Sequence, residues 1–187
     1  MKKGTIIGLV VLGAILLLVF SLVGNYNTMV TSRENINTEM SNVDVYLQRR
    51  ADLIPNLVST VKGYAQHEEK VIDSITSARE NLLAAKSVED KANANQELTN
   101  AINALMVVVE NYPDLKANTN FINLQDELAG TENRIATARR DYNSAVKEYN
   151  TLIVKFPNNI IASMFNFNKA DYFNADPDKV EVPNVEF

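Results

Sequence analysis

Residues 46–58 read YLQRRADLIPNLV, and this stretch decides how the rest of the chain is interpreted. It places two arginines, an aspartate and a proline inside a long apolar repeat, in which the spacing alternates between four and three residues. This spacing is typical of the buried seam of a long helix. The repeat consists of Ile36, Met40, Val43, Leu47, Arg50, Ile54, Leu57, Val61 and Tyr64. Arg50 therefore occupies a position where an apolar residue belongs.

The repeat keeps its phase through Pro55, which favours one continuous helix that is kinked near the proline. Because proline has no N–H, the carbonyl of Ala51 loses its helical hydrogen-bond donor. In the alternative interpretation, Asp52 caps a new helix that has Pro55 in its first turn. The continuous helix is the better prediction because a helix end would normally reset the phase of the repeat.

The chain begins with the short charged segment 1–4, which is followed by an uncharged run rich in Ile, Leu and Val at residues 5–24. A helix of 20 residues is about 30 Å long, which matches the hydrocarbon thickness of a bilayer. The run therefore predicts a transmembrane helix. The alternative is a cleaved signal peptide, which normally has a shorter apolar region that ends in a small-residue cleavage site.

The flanking charges predict an orientation for this transmembrane helix. Lys2 and Lys3 precede the run, whereas Arg33 is the one basic residue in the nearest stretch that follows it. The positive-inside rule therefore places residues 1–4 in the cytoplasm and the bulk of the chain on the other side of the membrane.

Composition limits the chemistry available to the chain. The 187 residues include no Cys and one His, and 18 Lys plus Arg stand against 23 Asp plus Glu. The absence of Cys excludes disulfides, thiolate nucleophiles and Cys-based metal sites, and the acidic balance argues against a nucleic acid partner. The lone His67 cannot supply the paired Glu-x-x-His motifs of a dimetal bundle, and no phosphate-loop, dinucleotide, zincin or hydrolase motif occurs. We therefore expect no cofactor, no metal, no small-molecule substrate and no enzymatic activity.

The pattern after residue 25 is helical and lacks strand signals, so we predict an all-α fold. The expected domain is an antiparallel bundle of three to four long helices at residues 25–167. An amphipathic face at residues 71–85 either continues the first helix or follows a short break. Ser87, with a carboxylate three residues later, predicts the start of a further helix, which ends near Pro113.

The last long helix carries an unbroken heptad repeat that predicts a buried stripe. Its members are Phe121, Leu128, Ile135, Tyr142, Tyr149 and Phe156. Pro157 ends this helix, and the apolar segment 160–165 that follows is too short to cross a bilayer. Residues 168–187 are predicted to form an extended tail that either lies on the bundle or is disordered until it binds, since Pro177 and Pro183 argue against a central strand.

If the first and last long helices pack antiparallel, Arg50 meets acidic residues beside the seam of the last helix. The structural interpretation is a buried or half-buried ion pair with Glu132 or Glu127, close to Arg139, which fixes the register of the helices. The functional interpretation is a polar site at the helix interface. The candidate structural or interaction residues are Arg50, Asp52, Pro55, Asn56, Glu127, Glu132 and Arg139.

Several long motifs resemble those of the bacterial LemA family. They are LQRRADLIPNLV at 47–58, YPDLKAN at 112–118, LQDEL at 124–128, TENRI at 131–135 and ARRDYN at 138–143. The resemblance extends over essentially the whole chain. It implies a single-span membrane protein with a bundle of long antiparallel helices and a family without an established enzymatic activity. It also implies a short N-terminus outside the cytoplasm, opposite to the orientation that the charges predict.

The predicted anchor, the long heptads and the missing catalytic motifs lead to one main functional hypothesis. The protein is expected to be a membrane-anchored helical scaffold or adaptor of the bacterial envelope, held in the inner membrane by residues 5–24. Its expected partners are the lipid bilayer and either another membrane protein or further copies of itself. One alternative is a membrane-remodelling or filament-forming oligomer, and another is a hydrolytic or metal-dependent enzyme with a site between helices.

Overall fold

A computed structural model of the chain describes residues 3–65 and 67–174. These residues form six α-helices and no β-strand. The helices are α1 (Lys3–Lys62), α2 (Glu69–Ala84), α3 (Val88–Val109), α4 (Pro113–Lys116), α5 (Thr119–Val154) and α6 (Asn158–Met164). The predicted all-α class is confirmed for the part of the chain that is described.

Helix α1 carries both the apolar run and the first seam. It continues from Lys3 to Lys62 with Pro55 in its interior, so the prediction of a continuous helix is confirmed. The alternative in which Asp52 caps a new helix is wrong, because the buried seam residues on both sides of Pro55 hold the chain in one helical phase. Asp52 Oδ1 instead accepts a hydrogen bond of 2.8 Å from Gln48 Nε2, one turn earlier in the same helix.

The N-terminal part of α1 is long and apolar enough to cross a membrane, and no other helix in the described residues is. Its most apolar stretch has a mean hydropathy of 3.1, and none of that stretch is buried inside the protein. Large side chains such as Leu17 and Phe20 are exposed there. Because a core helix would bury these side chains, this part of α1 is not a core helix.

Short breaks separate the next three helices. The sequence left open whether a break separates α1 from α2, and the structure has one, since α1 ends at Lys62 and α2 begins at Glu69. Helix α3 begins with the predicted capping box, in which the Asp90 N–H donates to Ser87 Oγ at 3.0 Å and the Ser87 N–H donates to Asp90 Oδ2 at 3.3 Å. Pro113, which was expected only near the end of this helix, also opens the single turn of α4, where a missing N–H costs no helical hydrogen bond.

The described residues divide into two compact units, and helices α1 and α5 contribute to both. The first unit contains the residues up to Glu39 together with Ser144–Asp171. The second unit contains Met40–Asn143 together with residues 172–174 of the described chain.

In the second unit, α1 and α5 run antiparallel. Asn118 Nδ2, just before α5, donates at 2.9 Å to the hydroxyl of Tyr64, which lies just after α1. Further along α5, Glu132 contacts Arg50, which lies earlier in α1. Most of the predicted seam residues of both helices are buried here, namely Val43, Leu47, Ile54, Leu57 and Val61 of α1 and Phe121, Leu128, Ile135 and Tyr142 of α5. Met40 is half-buried.

The predicted seams fail at their ends. Tyr149, in the first unit, is buried as expected, but Phe156 is 81% exposed. Helix α5 ends at Val154, so Phe156 no longer follows the phase of the heptad. Tyr64 is exposed for the same reason, because α1 ends at Lys62.

Residues 168–174 are neither helix nor strand, and they are bound to α5 through side-chain amides. In the first unit, Asn150 Nδ2 donates to the Ala170 carbonyl at 2.9 Å and Asn150 Oδ1 accepts from the Ala170 N–H at 2.8 Å. In the second unit, Asn143 makes the same two bonds to Phe173, at 3.1 and 2.8 Å. We call residues 168–174 the strap. The rest of the predicted tail, residues 175–187, lies outside the described residues.

Candidate functional site

Arg50 is the centre of a polar cluster in the second unit. Its side chain is only 4% exposed, and its Nη1 lies 2.7 Å from Glu132 Oε2 of α5. The same Nη1 donates to Oδ1 of the buried Asn95 on α3, at 2.6 Å. Of the two acidic partners considered for Arg50, the structure places Glu132 beside it. Asn95 was not anticipated, although its position on the buried face of α3 could have drawn attention to it.

The ion pair between Arg50 and Glu132 is unequally hydrated. The Glu132 side chain is 38% exposed, so its charge keeps part of its hydration. Arg50 Nε and Glu132 Oε2 are buried atoms that lack a well-aligned hydrogen bond among the described residues. Burial lowers the pKa of the Arg50 guanidinium, and the charge of Glu132 acts in the opposite direction. A guanidinium keeps its proton in proteins, so the buried charge of Arg50 needs its partners.

A second arginine, Arg79, donates a hydrogen bond to the main chain of α1. Pro55 leaves the carbonyl of Ala51 without its helical donor, and Ala51 is completely buried. Arg79 of α2 donates from Nε to this carbonyl at 2.8 Å. A buried carbonyl without a donor would be costly, so this contact resolves the defect that the proline creates. The sequence identified the orphaned carbonyl but not its donor; the available signal was that Arg79 adjoins the buried Ala78.

Two further ion pairs lie at the edge of the cluster. Arg49 Nη2 is 2.7 Å from Glu127 Oε2, so Glu127 pairs with the neighbour of Arg50 and not with Arg50 itself. The hydrogen bond from Arg49 holds the pKa of Glu127 below its usual range. Lys91 Nζ of α3 lies 2.7 Å from Asp44 Oδ1 of α1. The Arg49 pair is exposed and the Lys91 pair is partly buried, and such pairs near the surface each contribute little to stability, but they connect the same helices as the buried contacts.

Arg139 does not join the cluster. Its Cζ atom lies 4.8 Å from the centre of the Phe173 ring, which is buried, and this is a cation–π contact. The contact that the structure gives Arg139 is thus with a strap residue, which the helical periodicity does not describe.

Asn56 lies beside the cluster, in a shallow groove of about 400 Å³ between α1 and α5. The groove is lined by Asn56, Ser59, Thr60, Asn120, Asn123, Leu124 and Glu127. Small-molecule pockets are usually enclosed and mostly apolar, with a few polar groups that orient the ligand. This groove is open, and six of its seven lining residues are polar, so it suits hydrated contacts better than an enclosed ligand.

The contacts of the cluster connect four helices of the second unit. Arg50 joins α1 to α3 and α5, and Arg79 joins α2 to α1. In the described part of the chain, no group of three or more His, Cys, Asp or Glu residues is arranged to hold a metal ion. These side chains can fix the axial register of the helices. Each contact is directional, and each involves a cation that has lost hydration and must be compensated by its partner.

Comparisons with known proteins agree with the motifs. The family model described as LemA family matches residues 39–187. Magnetosome protein MamQ 2 of Paramagnetospirillum magneticum is 30% identical over 94% of this chain and 75% of its own length. Magnetosome protein MamQ of Magnetospirillum gryphiswaldense is 26% identical over 84% and 67%. Protein LemA of Metamycoplasma hominis is 25% identical over 89% and 77%.

Proposed function

This chain belongs to the LemA family, and from that membership and the geometry of its helices we propose that it is a membrane-anchored helical scaffold of the bacterial envelope. The observation that carries the proposal is helix α1. The same helix contains an exposed apolar segment long enough to cross a bilayer and the buried seam of the second unit. A chain built in this way holds a helical bundle at the membrane surface.

The role of the bundle is to bind and not to catalyse. The charged side chains of its polar cluster contact partners on neighbouring helices, and its groove is open and lined mostly by polar residues. An exposed face of a helical bundle suits another protein of the envelope or a second copy of the chain. Two of the relatives bear the name magnetosome protein and another the name LemA, so we propose no particular compartment beyond the inner membrane.

The anchor is tested by introducing charge into the apolar part of α1. In the double variant Leu12→Lys with Leu16→Lys, two cations lie one turn apart in the span, where each costs about 3 kcal/mol. We expect the protein to move from the alkali-washed membrane fraction to the soluble fraction, whereas Val107→Lys on α3 stays in the membrane. Retention of the double variant would overturn the anchor. An N-terminal mass measurement that shows loss of residues 1–24 would establish the signal peptide instead.

The orientation is tested with a single cysteine, since the natural chain has none. We propose that the bundle lies outside the cytoplasm because Lys2 and Lys3 precede the span. Glu89→Cys should then react with a membrane-impermeant maleimide in intact spheroplasts. Labelling that requires lysis of the spheroplasts would place the bundle in the cytoplasm.

The partner is sought by photocrosslinking in native membranes. Val45 of α1 and Val107 of α3 are large apolar side chains that are exposed in the second unit, so a benzophenone residue is placed at each. We expect discrete crosslinked products, identified by mass spectrometry, and weaker ones from the control position Glu89. Recovery of uncrosslinked monomer at all three positions would count against a scaffold.

A further inference from the structure

The short helix α6 has one buried face and one exposed apolar face. Ile161 and Ala162 are buried in the first unit. On the other side, Ile160 and Met164 lie one helical turn apart and are exposed, Met164 by 68%. Phe156 and Phe165, which flank the helix, are exposed as well. We call Phe156, Ile160, Met164 and Phe165 the α6 patch.

One residue of the α6 patch, Phe165, lies beside Tyr26, which follows the apolar run of α1. The ring of Tyr26 is 4.8 Å from that of Phe165 and 5.7 Å from that of Phe167, both edge-on. Tyr26 follows Gly24, the last residue of the run, by two positions, or about 3 Å along the helix axis. If residues 5–24 span the bilayer, these contacts place the C-terminal end of α6 near the level where the span leaves the hydrocarbon.

The chemistry of the segment suits the boundary between lipid tails and headgroups. Tyrosine is enriched at that boundary, and apolar side chains on one face of a helix insert beside it. Residues 154–170 contain Lys155 and Lys169 but no Asp or Glu, in a chain that is acidic as a whole. A local excess of positive charge is attracted to anionic lipid headgroups.

We propose that the α6 patch inserts into the membrane interface next to α1, so that the protein contacts the bilayer at a second place besides its span. The inference rests on the proposed function, because it requires residues 5–24 to cross the membrane. Lipid is favoured as the occupant over a soluble protein because the patch is continuous with the end of the apolar run through Tyr26. An aqueous partner would have to displace headgroups in order to reach it.

The test uses the natural absence of tryptophan. Full-length protein with a single tryptophan, either Phe156→Trp or Met164→Trp, is reconstituted into vesicles that contain lipids brominated on the acyl chains. Leu17→Trp reports on the span, and Val107→Trp on an exposed site of α3. We expect brominated lipid to reduce the emission of Phe156→Trp and Met164→Trp at least twofold, and of Leu17→Trp more strongly. The emission of Val107→Trp should not change.

The outcomes separate the patch from the anchor. Quenching of Leu17→Trp without quenching at positions 156 and 164 overturns the α6 proposal and leaves the anchor intact. A blue-shifted but unquenched emission at those two positions shows that protein covers the patch, and this also overturns it. An unquenched Leu17→Trp overturns the proposed anchor itself.

Discussion

The guanidinium of Arg79 supplies the hydrogen bond that a proline removes from another helix. Its Nε donates at 2.8 Å to the carbonyl of Ala51, the acceptor that lies four residues before Pro55 in α1. A proline inside a helix costs about 3 kcal/mol, partly because this carbonyl loses its donor. Pro55 and Arg79 are therefore expected to be thermodynamically coupled although they lie on different helices.

A double-mutant cycle measures this coupling. Arg79→Met should lower the free energy of unfolding by about 1–2 kcal/mol, because the buried carbonyl of Ala51 loses its donor. In a Pro55→Ala background, the restored N–H of residue 55 supplies that donor, so the same Arg79→Met change should cost less than half as much. Urea unfolding of the full chain in detergent micelles, followed by circular dichroism, gives both values.

Lys70→Met is the matched control for this cycle, since Lys70 is an exposed cation on the same helix, α2. Lys70→Met should change the free energy of unfolding by the same small amount in the natural chain and in the Pro55→Ala variant. Equal costs of Arg79→Met with and without Pro55 would show that the contact does not compensate for the proline.

The buried amide of Asn95 predicts that a second substitution can restore the stability that is lost when Arg50 is replaced. Arg50→Met should lower the free energy of unfolding by about 1–3 kcal/mol, because Oδ1 of the buried Asn95 loses its donor. Adding Asn95→Leu replaces the buried one of the two remaining polar partners with an apolar side chain of similar size. The other partner, Glu132, is 38% exposed and can be hydrated, so most of the loss should be recovered. Thermal unfolding of the single and double variants measures the recovery. If Arg50→Met alone is as stable as the natural chain, the cluster does not hold the helices in register.

The carboxylates at the edge of the bundle predict the direction of acid sensitivity. Hydrogen bonds from Arg49 and Ser87 hold the pKa values of Glu127 and Asp90 below their usual range. A group whose pKa is lower in the folded state stabilises the fold above its unfolded pKa of about 4, and this contribution is lost as the pH falls through the folded pKa. The free energy of unfolding should therefore fall below about pH 4.

Glu127→Gln isolates the contribution of one pair to this acid sensitivity. The variant should be slightly less stable than the natural chain at pH 7 and should lose less stability between pH 5 and pH 2. Parallel curves for the two proteins over that interval would mean that the Arg49 contact does not bias the titration of Glu127.

The side-chain amide of Asn150 should protect one main-chain N–H, that of Ala170, from hydrogen exchange. In Asn150→Ala, the Ala170 N–H and carbonyl lose both of their partners, so hydrogen exchange at Ala170 should accelerate by roughly tenfold or more. Asn150→Asp keeps the acceptor and should preserve much more of the protection. Asn159→Ala, which removes an exposed amide on α6, serves as the control. Unchanged exchange in Asn150→Ala would mean that the strap is held elsewhere.

How much of the structure could be predicted from sequence depends on whether a feature follows a helical period. The seam of α1 and its continuity through Pro55 followed from phase alone, and the position of Arg50 in that seam indicated an acidic partner on α5. The donor Arg79 and the acceptor Asn95 did not follow, because amphipathicity fixes which face of α2 or α3 is buried but not how far each helix is shifted along its axis. Partner choice depends on that shift.

The ends of helices and the strap were also beyond the reach of periodicity. Phe156 belongs to the heptad by its number but lies past the last residue of α5, where the heptad no longer describes the chain. Phe173 has no periodic context at all, yet it is buried and contacts Arg139. Both aromatic residues lie outside the long helices, where a helical period gives no prediction.

The amides of Asn143 and Asn150 have a consequence for how the end of the chain is recognised. Each presents one donor and one acceptor to the N–H and carbonyl of a single residue, as the edge of a β-sheet does for an added strand. Helix α5 thus imitates a strand edge with two side chains, although the described residues contain no sheet. Because this form of recognition reads backbone atoms, position 170 should accept any residue that fits sterically and still has an N–H.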